Sequence, residues 1–275
     1  MGCKQKESLG KYLGIPILDK RPCKQDFVFI LDKVRAKLEG WKARFFSLAG
    51  RVTLINSVMA SIPVYYMQST MLPSSILSDL DKISRDFLWG SDPEHRRAHL
   101  INWDKVSIPK SLGGLGIKSA KEANLAAMAK LNWRLFSERD KLWNSVMARK
   151  YNINSHPSTL PPYGSPVIKS LKKGNKLFLQ GIRWNLVDGR SISFWKDCWL
   201  LDEPLNSVLF GPWLNNDDDD VRVADVLSIA SFDSSRLSYA LPETILETIK
   251  ACPISRMGVG KDSYSWKGSH DGSFP

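Results

Sequence analysis

Six basic side chains, Lys33, Arg35, Lys37, Lys42, Arg44 and Arg51, crowd one stretch of the chain that also holds Trp41, Phe45 and Phe46. Lysine and arginine neutralise phosphates and aromatic rings stack on bases, so this combination has the chemistry of nucleic-acid contact. Phe27, Ile30, Leu31, Val34, Leu38, Trp41 and Phe45 recur at three- and four-residue steps and make one apolar stripe, which reads as core. The basic residues lie mostly off that stripe and are the better candidates for function. The competing reading is that basic helix faces are only solvated faces.

Other chemistries find less support. His95 and His99 stand at a spacing that binds zinc on a helix, but their segment is charged and loop-like and no third ligand lies near. His156 and His270 are isolated in the sequence. Asp217 to Asp220 follow two asparagines in a polar stretch. They read as a solvated acidic loop, not as the converging carboxylates that two-metal phosphoryl transfer requires. Gly113-Gly114-Leu115-Gly116 lacks the lysine–serine/threonine pair of a P-loop. No Ser/His/Asp arrangement is suggested. The expectation is a binding protein without catalytic residues, metal site or cofactor.

Local sequence patterns predict the elements that carry these basic residues. Residues 9–18 hold two glycines, a proline and β-branched residues, a pattern for a short strand or hairpin. The apolar stripe predicts a helix from Phe27, with Gly40 as a break. A second helix is predicted over 51–61, ending before Pro63; Val64 to Gln68 fits either helix or strand. A third runs from Pro73-Ser74-Ser75 to Gly90. Ser119 and Glu122 form a capping-box pattern that opens a long helix to about Ser137, and another helix follows over 141–150. Four prolines within 152–166 read as a linker. Beyond it the chain is tryptophan-rich and strand-like, with Asp188-Gly189 as a hairpin turn between two alternating segments. Residues 262–275 have the composition of an exposed tail. The fold class predicted is mainly α, with a smaller mixed α+β, Trp-rich C-terminal part.

The 275 residues are 43% hydrophobic, enough for a real core, and carry a formal net charge of +11. Residues 1–150 hold 26 Lys+Arg against 14 Asp+Glu, whereas residues 151–275 hold 13 against 14. A one-sided excess of this kind attracts phosphate backbones and releases their counterions. Four scattered cysteines imply no disulfide framework, and no signal peptide or apolar run of membrane-spanning length is present, so an intracellular protein is expected.

Several segments, in order, resemble one family. Lys11-Tyr12-Leu13-Gly14-Ile15-Pro16 resembles the primer-grip hairpin that follows the palm in reverse transcriptases. Gly40-Trp41-Lys42-Ala43-Arg44-Phe45-Phe46-Ser47-Leu48-Ala49-Gly50-Arg51 looks like the segment beyond it in plant LINE-type (non-LTR) elements. Ile62-Pro63-Val64-Tyr65-Tyr66-Met67-Gln68, Arg85-Asp86-Phe87-Leu88-Trp89-Gly90, Leu112-Gly113-Gly114-Leu115-Gly116-Ile117 and Leu131-Asn132-Trp133-Arg134-Leu135 continue the series. Phe194-Trp195-Lys196-Asp197-Cys198-Trp199 and Asp262-Ser263-Tyr264-Ser265-Trp266 fit as well.

The resemblance implies a fragment. Residues 1–24 would form a primer-grip-like hairpin, 25–150 a basic thumb- or connection-like helical region, and 151–166 the linker. Residues 167–275 would then be a Trp-rich mixed region ending at the start of a truncated zinc-binding module. The family's polymerase hallmark, an aromatic and a variable residue before paired aspartates, is absent from these residues. The implied role is non-catalytic binding of an RNA, DNA or RNA–DNA hybrid backbone by Lys11, Tyr12, Gly14, Lys33, Lys37, Lys42, Arg44 and Arg51. The palm domain of a parent polyprotein would be a further partner. The alternative is an inert or protein-interacting remnant whose basic helices once packed against that palm.

Overall fold

The computed structural model describes residues 10–17, 22–41, 43–91, 97–153, 156–158, 160–209, 220–227, 232–237, 240–252 and 260–275. The chain is 54% helical with few short strands: mainly α, with a small mixed, tryptophan-rich C-terminal part. It divides into two compact units, residues 1–152 with 160–177, and residues 153–159 with 178–275. Residues 167–177, expected with the C-terminal region, therefore belong to the first unit.

In the first unit a two-residue-strand hairpin, β1 (Lys11–Tyr12) and β2 (Ile15–Pro16), precedes eight α-helices among the described residues. Helix α1 (Val28–Glu39) buries Ile30, Leu31 and Val34 along the anticipated stripe and ends at Gly40. Because the helix stops there, the stripe does not continue, and Phe45, expected in the core, is 74% exposed. Trp41 does pack against the core.

Helix α2 (Leu48–Leu54) runs through a π-helical stretch, Ile55–Met59, into α3 (Ser61–Met67). The prediction that helix ends before Pro63 is thus corrected. The wide π turn, marked by the Ala60 N–H donating to Ile55 O at 2.8 Å, starts a new first turn at Ser61. Proline's missing N–H is tolerated in a first turn. Val64 to Met67, open between two readings, is helix.

Helix α4 (Ser74–Trp89) buries Ile76, Leu77, Leu80, Phe87 and Leu88 and is closed by Gly90 in the left-handed region at φ +69°. The short helix α5 (Trp103–Val106) leads to α6 (Ala120–Ser137), α7 (Leu142–Tyr151) and α8 (Pro166–Gly181). The capping box expected at Ser119 does not form, for Ser119 makes no side-chain cap bond. Asp81 on α4 caps α6 instead, accepting from the Ala120 N–H at 2.9 Å and the Ser119 hydroxyl at 3.3 Å. Burial pushes the Asp81 carboxyl up, and those two donors only partly offset it. Buried Asn124 then ties α6 to the α3–α4 connection: it accepts from Leu72 N at 2.8 Å and donates to Met67 O and Thr70 O.

The second unit is built on β3 (Ile182–Asn185) and β4 (Ser263–Trp266), antiparallel with Ile182 opposite Trp266 and Asn185 opposite Ser263. Short helices α9 (Leu205–Val208), α10 (Val223–Val226) and α11 (Glu243–Lys250) complete it. Trp184, Phe194, Trp195 and Trp199 form its core with Ile192, Val223 and Ile249.

Two expectations are overturned in this unit. Gly189 does turn, at φ +67°, but β3 pairs with β4 and not with the segment after the turn. Residues 262–275 are no tail. They supply a strand, the Asp262 carboxylate that holds the 187–191 loop, and a Trp266–Phe274 ring pair at 4.3 Å.

Among the described residues Cys23, Cys198 and Cys252 are free thiols, and no group of three metal-ligating side chains occurs. No described helix is long and apolar enough to cross a membrane.

Candidate nucleic-acid interface

With Ile30, Leu31 and Val34 turned into the core, α1 presents Lys33 and Lys37 to solvent four residues apart on one face. Lys33 is anchored at its tip. Its ammonium donates to the Tyr66 hydroxyl at 2.8 Å and lies 5.4 Å from the Tyr66 ring and 5.8 Å from that of Phe29. Lys11 of the hairpin covers the same Phe29 ring at 4.0 Å. The Tyr65 hydroxyl on α3 donates to Leu13 O at the hairpin turn at 2.8 Å. Three elements distant in sequence are therefore joined through shared rings, and Lys11 and Lys33 become neighbours across Phe29. Cation–π contacts of this kind are worth about 0.5–1 kcal/mol at exposed sites and leave the ammonium able to meet an anion.

The hairpin tip is shaped by two residues with positive φ, Leu13 at 49° and Gly14 at 79°, as a two-residue type I′ loop requires. Gly14 contributes through this conformation, since it has no side chain to offer. Leu13 bears strain that a glycine or asparagine would not. The turn leaves Tyr12 69% exposed, a ring available for stacking beside Lys11.

The other predicted residues fare differently. Lys42 and the Arg44 side chain lie outside the described residues. Arg51 is turned inward. Its Nε donates to Ala43 O at 3.0 Å and Phe46 O at 3.1 Å, and Nη1 donates to Leu88 O at 2.9 Å. It pins the 43–46 turn to the end of α4. We expect Arg51→Ala to destabilise the first unit by about 2 kcal/mol, since carbonyls lose a charged donor, while leaving the salt dependence of nucleic-acid binding unchanged. A urea titration beside a salt series checks both. A reduced salt slope would reassign Arg51 as a phosphate contact.

Lys37 stands in the last turn of α1, where a cation also favours the helix dipole. Arg35, noted with this cluster, pairs with Asp32 at 3.4 Å in an exposed ion pair, which is worth little in stability. His99 of the predicted histidine pair meets Asp86 at 3.3 Å, and His95 lies outside the described residues.

Charge is divided between the units more sharply than between the sequence halves. Residues 1–152 with 160–177 hold 30 Lys+Arg against 14 Asp+Glu, a balance of +16; the remainder hold 9 against 14, a balance of −5.

Sequence reasoning missed two arrangements, one within this cluster and one in the second unit. Phe29 lay outside the apolar stripe and Tyr65 and Tyr66 in a segment open between helix and strand, yet their rings and hydroxyls join the lysines and the hairpin. In the second unit His156, which looked isolated, bonds the buried Asp197 carboxylate through Nε2 at 2.8 Å and Ser158 Oγ through Nδ1 at 2.6 Å. The Ser158 N–H also points at Nδ1, 3.3 Å away. Nδ1 is therefore the acceptor, and Nε2–H donates to Asp197. Asp197 in turn accepts from the Ser193 N–H at 2.7 Å, and the imidazole stacks on Trp184. The group fastens residues 156–158 to the tryptophan core; the 41-residue separation of His156 and Asp197 gives no local motif.

No family model matches the chain, and no solved structure matches it. It is similar to a protein of Arabidopsis thaliana provisionally named a ribonuclease H protein, 37% identical over 268 residues, covering 94% of this chain and 43% of that protein. The chain thus spans less than half of that relative's length. It is also similar to an uncharacterized mitochondrial protein of the same plant, 27% identical over 156 residues, covering 53% of this chain and 99% of that protein. These likenesses support a transposon-related protein.

Proposed function

We propose that the chain is a non-catalytic, nucleic-acid-binding segment of a LINE-type reverse transcriptase, the thumb-like region after the palm. In this reading the first unit grips the backbone of an RNA–DNA hybrid inside the cell, beside the palm of a parent polyprotein. The observation that carries it is the union of Lys11 and Lys33 across Phe29, with exposed Tyr12 and Lys37 flanking them. Local chemistry there suits phosphate neutralisation and base stacking together, and the +16 balance of the unit supplies long-range attraction.

The test is fluorescence anisotropy of the purified chain with a labelled RNA–DNA hybrid across a salt series. Replacing Lys11, Lys33 and Lys37 together by alanine is expected to weaken binding about tenfold or more and to lower the log–log salt slope by about 2–3. Binding by the triple variant with an unchanged slope sinks this assignment. Magnesium-dependent primer extension or hybrid cleavage by the purified chain would overturn its non-catalytic part.

The rival reading, a remnant surface that once contacted another domain, draws on exposed Leu100, Ile101 and Leu112. A folded sample that binds no hybrid at low salt and self-associates through that surface would favour it.

A further inference from the structure

Lys169, Lys172, Lys173 and Lys176 stand on α8 at steps of three, one and three, and all four are exposed. They occupy one helix face about 10 Å long. Residues 160–181 contain no aspartate or glutamate. Among the described residues none of the four lysines is ion-paired, and Lys172 Nζ instead donates to Pro162 O at 3.1 Å. That bond ties the ammonium to the residue preceding Tyr163, which is itself 85% exposed.

The face is fixed by what lies opposite. Ile168 and Leu171 are fully buried. Ser170 Oγ accepts from Met71 N at 3.0 Å, and Asn132 Nδ2 donates to Leu171 O at 2.8 Å. The helix is therefore locked in rotation, with its lysines outward. In the sequence these residues fell in the balanced second half; their packing places them in the strongly basic unit.

We propose that this lysine face, with Tyr163 at its N-terminal end, is a second nucleic-acid site, for single strands. A row of unpaired ammonium groups neutralises consecutive phosphates, and an exposed ring gives an unstacked base a platform. The two together are the recognition chemistry of sequence-tolerant single-strand binding. Duplex bases are already stacked on each other and gain nothing from Tyr163, which separates this site from a mere polyanion surface. It shares no residue with the hairpin–α1 interface and does not depend on it.

The experiment uses the full chain with labelled oligo(dT) and with a DNA hairpin duplex, by anisotropy across a salt series. Exchanging all four lysines for glutamine is expected to weaken oligo(dT) binding at least tenfold and to lower the salt slope by about 3. Tyr163→Ala is expected to weaken oligo(dT) about fivefold or more and to leave the duplex unchanged. Both changes are on the surface, and unchanged thermal melting confirms that the variants fold. Oligo(dT) affinity unaltered in both variants overturns the proposal, whatever the Lys11/Lys33/Lys37 variant does. Equal losses for single strand and duplex with Tyr163→Ala neutral, or preferential binding of anionic vesicles, also overturn it. Loss confined to the Lys11/Lys33/Lys37 variant leaves only the hairpin interface. Loss confined to the α8 variants leaves only this one.

Discussion

Asp262→Ala is expected to destabilise the second unit by about 3 kcal/mol. One carboxylate accepts four backbone N–H groups: Val187 at 2.9 Å, Asp188 and Gly189 at 3.0 Å on Oδ1, and Ser191 at 3.0 Å on Oδ2. Hydrogen bonds to a charged group contribute about 1.5–3 kcal/mol each when buried; a half-buried, shared acceptor earns well under the sum. Asp262→Asn should cost less, because the amide keeps one acceptor but turns a donor toward another N–H. The pH dependence follows in sign. Burial raises the Asp262 carboxyl, and the donors of Val187, Ser191 and Gly189 more than offset it, so it lies below its ordinary value. A group depressed in the folded state stabilises fully above its unfolded pKa of about 3.9 and loses that contribution as pH falls through the folded value. The wild-type unit should therefore weaken below about pH 4, and Asp262→Asn should lack that part of the acid sensitivity. Hydrogen exchange of the 187–191 amides reads the effect locally, without assuming that the two units unfold together. Equal protection in wild type and Asp262→Ala would remove the carboxylate as the holder of this loop.

What the sequence could disclose follows the range of the interaction. The stripes of α1 and α4 are local periodicities, and those helices lie where Ile30 and Leu77 place them. Gly14 and Gly90 marked their own turns because left-handed backbone is a property of a single residue. Asp81 capping α6, Asp262 holding 187–191 and Asn124 bridging the α3–α4 connection are each decided by a partner at least 39 residues away. Nothing nearby in sequence announces them. Ser119 and Glu122 gave a sound local pattern that lost to such a distant partner.

The interface was half legible for the same reason. Lys33 and Lys37 lay off the apolar stripe and are exposed; of the rings beside Lys33, Phe29 drew no reading and Tyr66 sat in a segment open between helix and strand. Arg51 carried the same signal as they did, yet its guanidinium is engaged by the carbonyls of residues 43, 46 and 88. Charge in sequence does not distinguish a phosphate contact from a backbone staple. The α8 lysines drew no reading, for they fall beyond the change in composition near Tyr151, whereas the packing of the first unit continues through residue 177.

Gly174 is the test of that packing, and Gly174→Leu is expected to be the most damaging single substitution in the first unit, on the order of 4 kcal/mol. A Cβ at Gly174 would stand 2.4 Å from Met128 Cβ, 2.6 Å from Met128 C and 2.8 Å from Ala129 N. Two of those atoms are backbone of α6, and Met128 and Ala129 are fully buried, so no flexible side-chain end can yield. Helix propensity alone would make Gly174→Ala favourable by about 1 kcal/mol. Here the sign reverses, because α8 must move off α6 and strain the Asn132–Leu171 and Ser170–Met71 bonds; a net loss of about 2 kcal/mol is expected. Gly40→Ala is the control: its Cβ would meet only Lys37 O at 3.9 Å, and its stability should be unchanged within about 0.5 kcal/mol. Urea midpoints of the three variants decide the matter. If Gly174→Ala proves as stable as the wild type, α8 is free to separate from α6. The outward orientation of Lys169, Lys172, Lys173 and Lys176 would then no longer be fixed by the core.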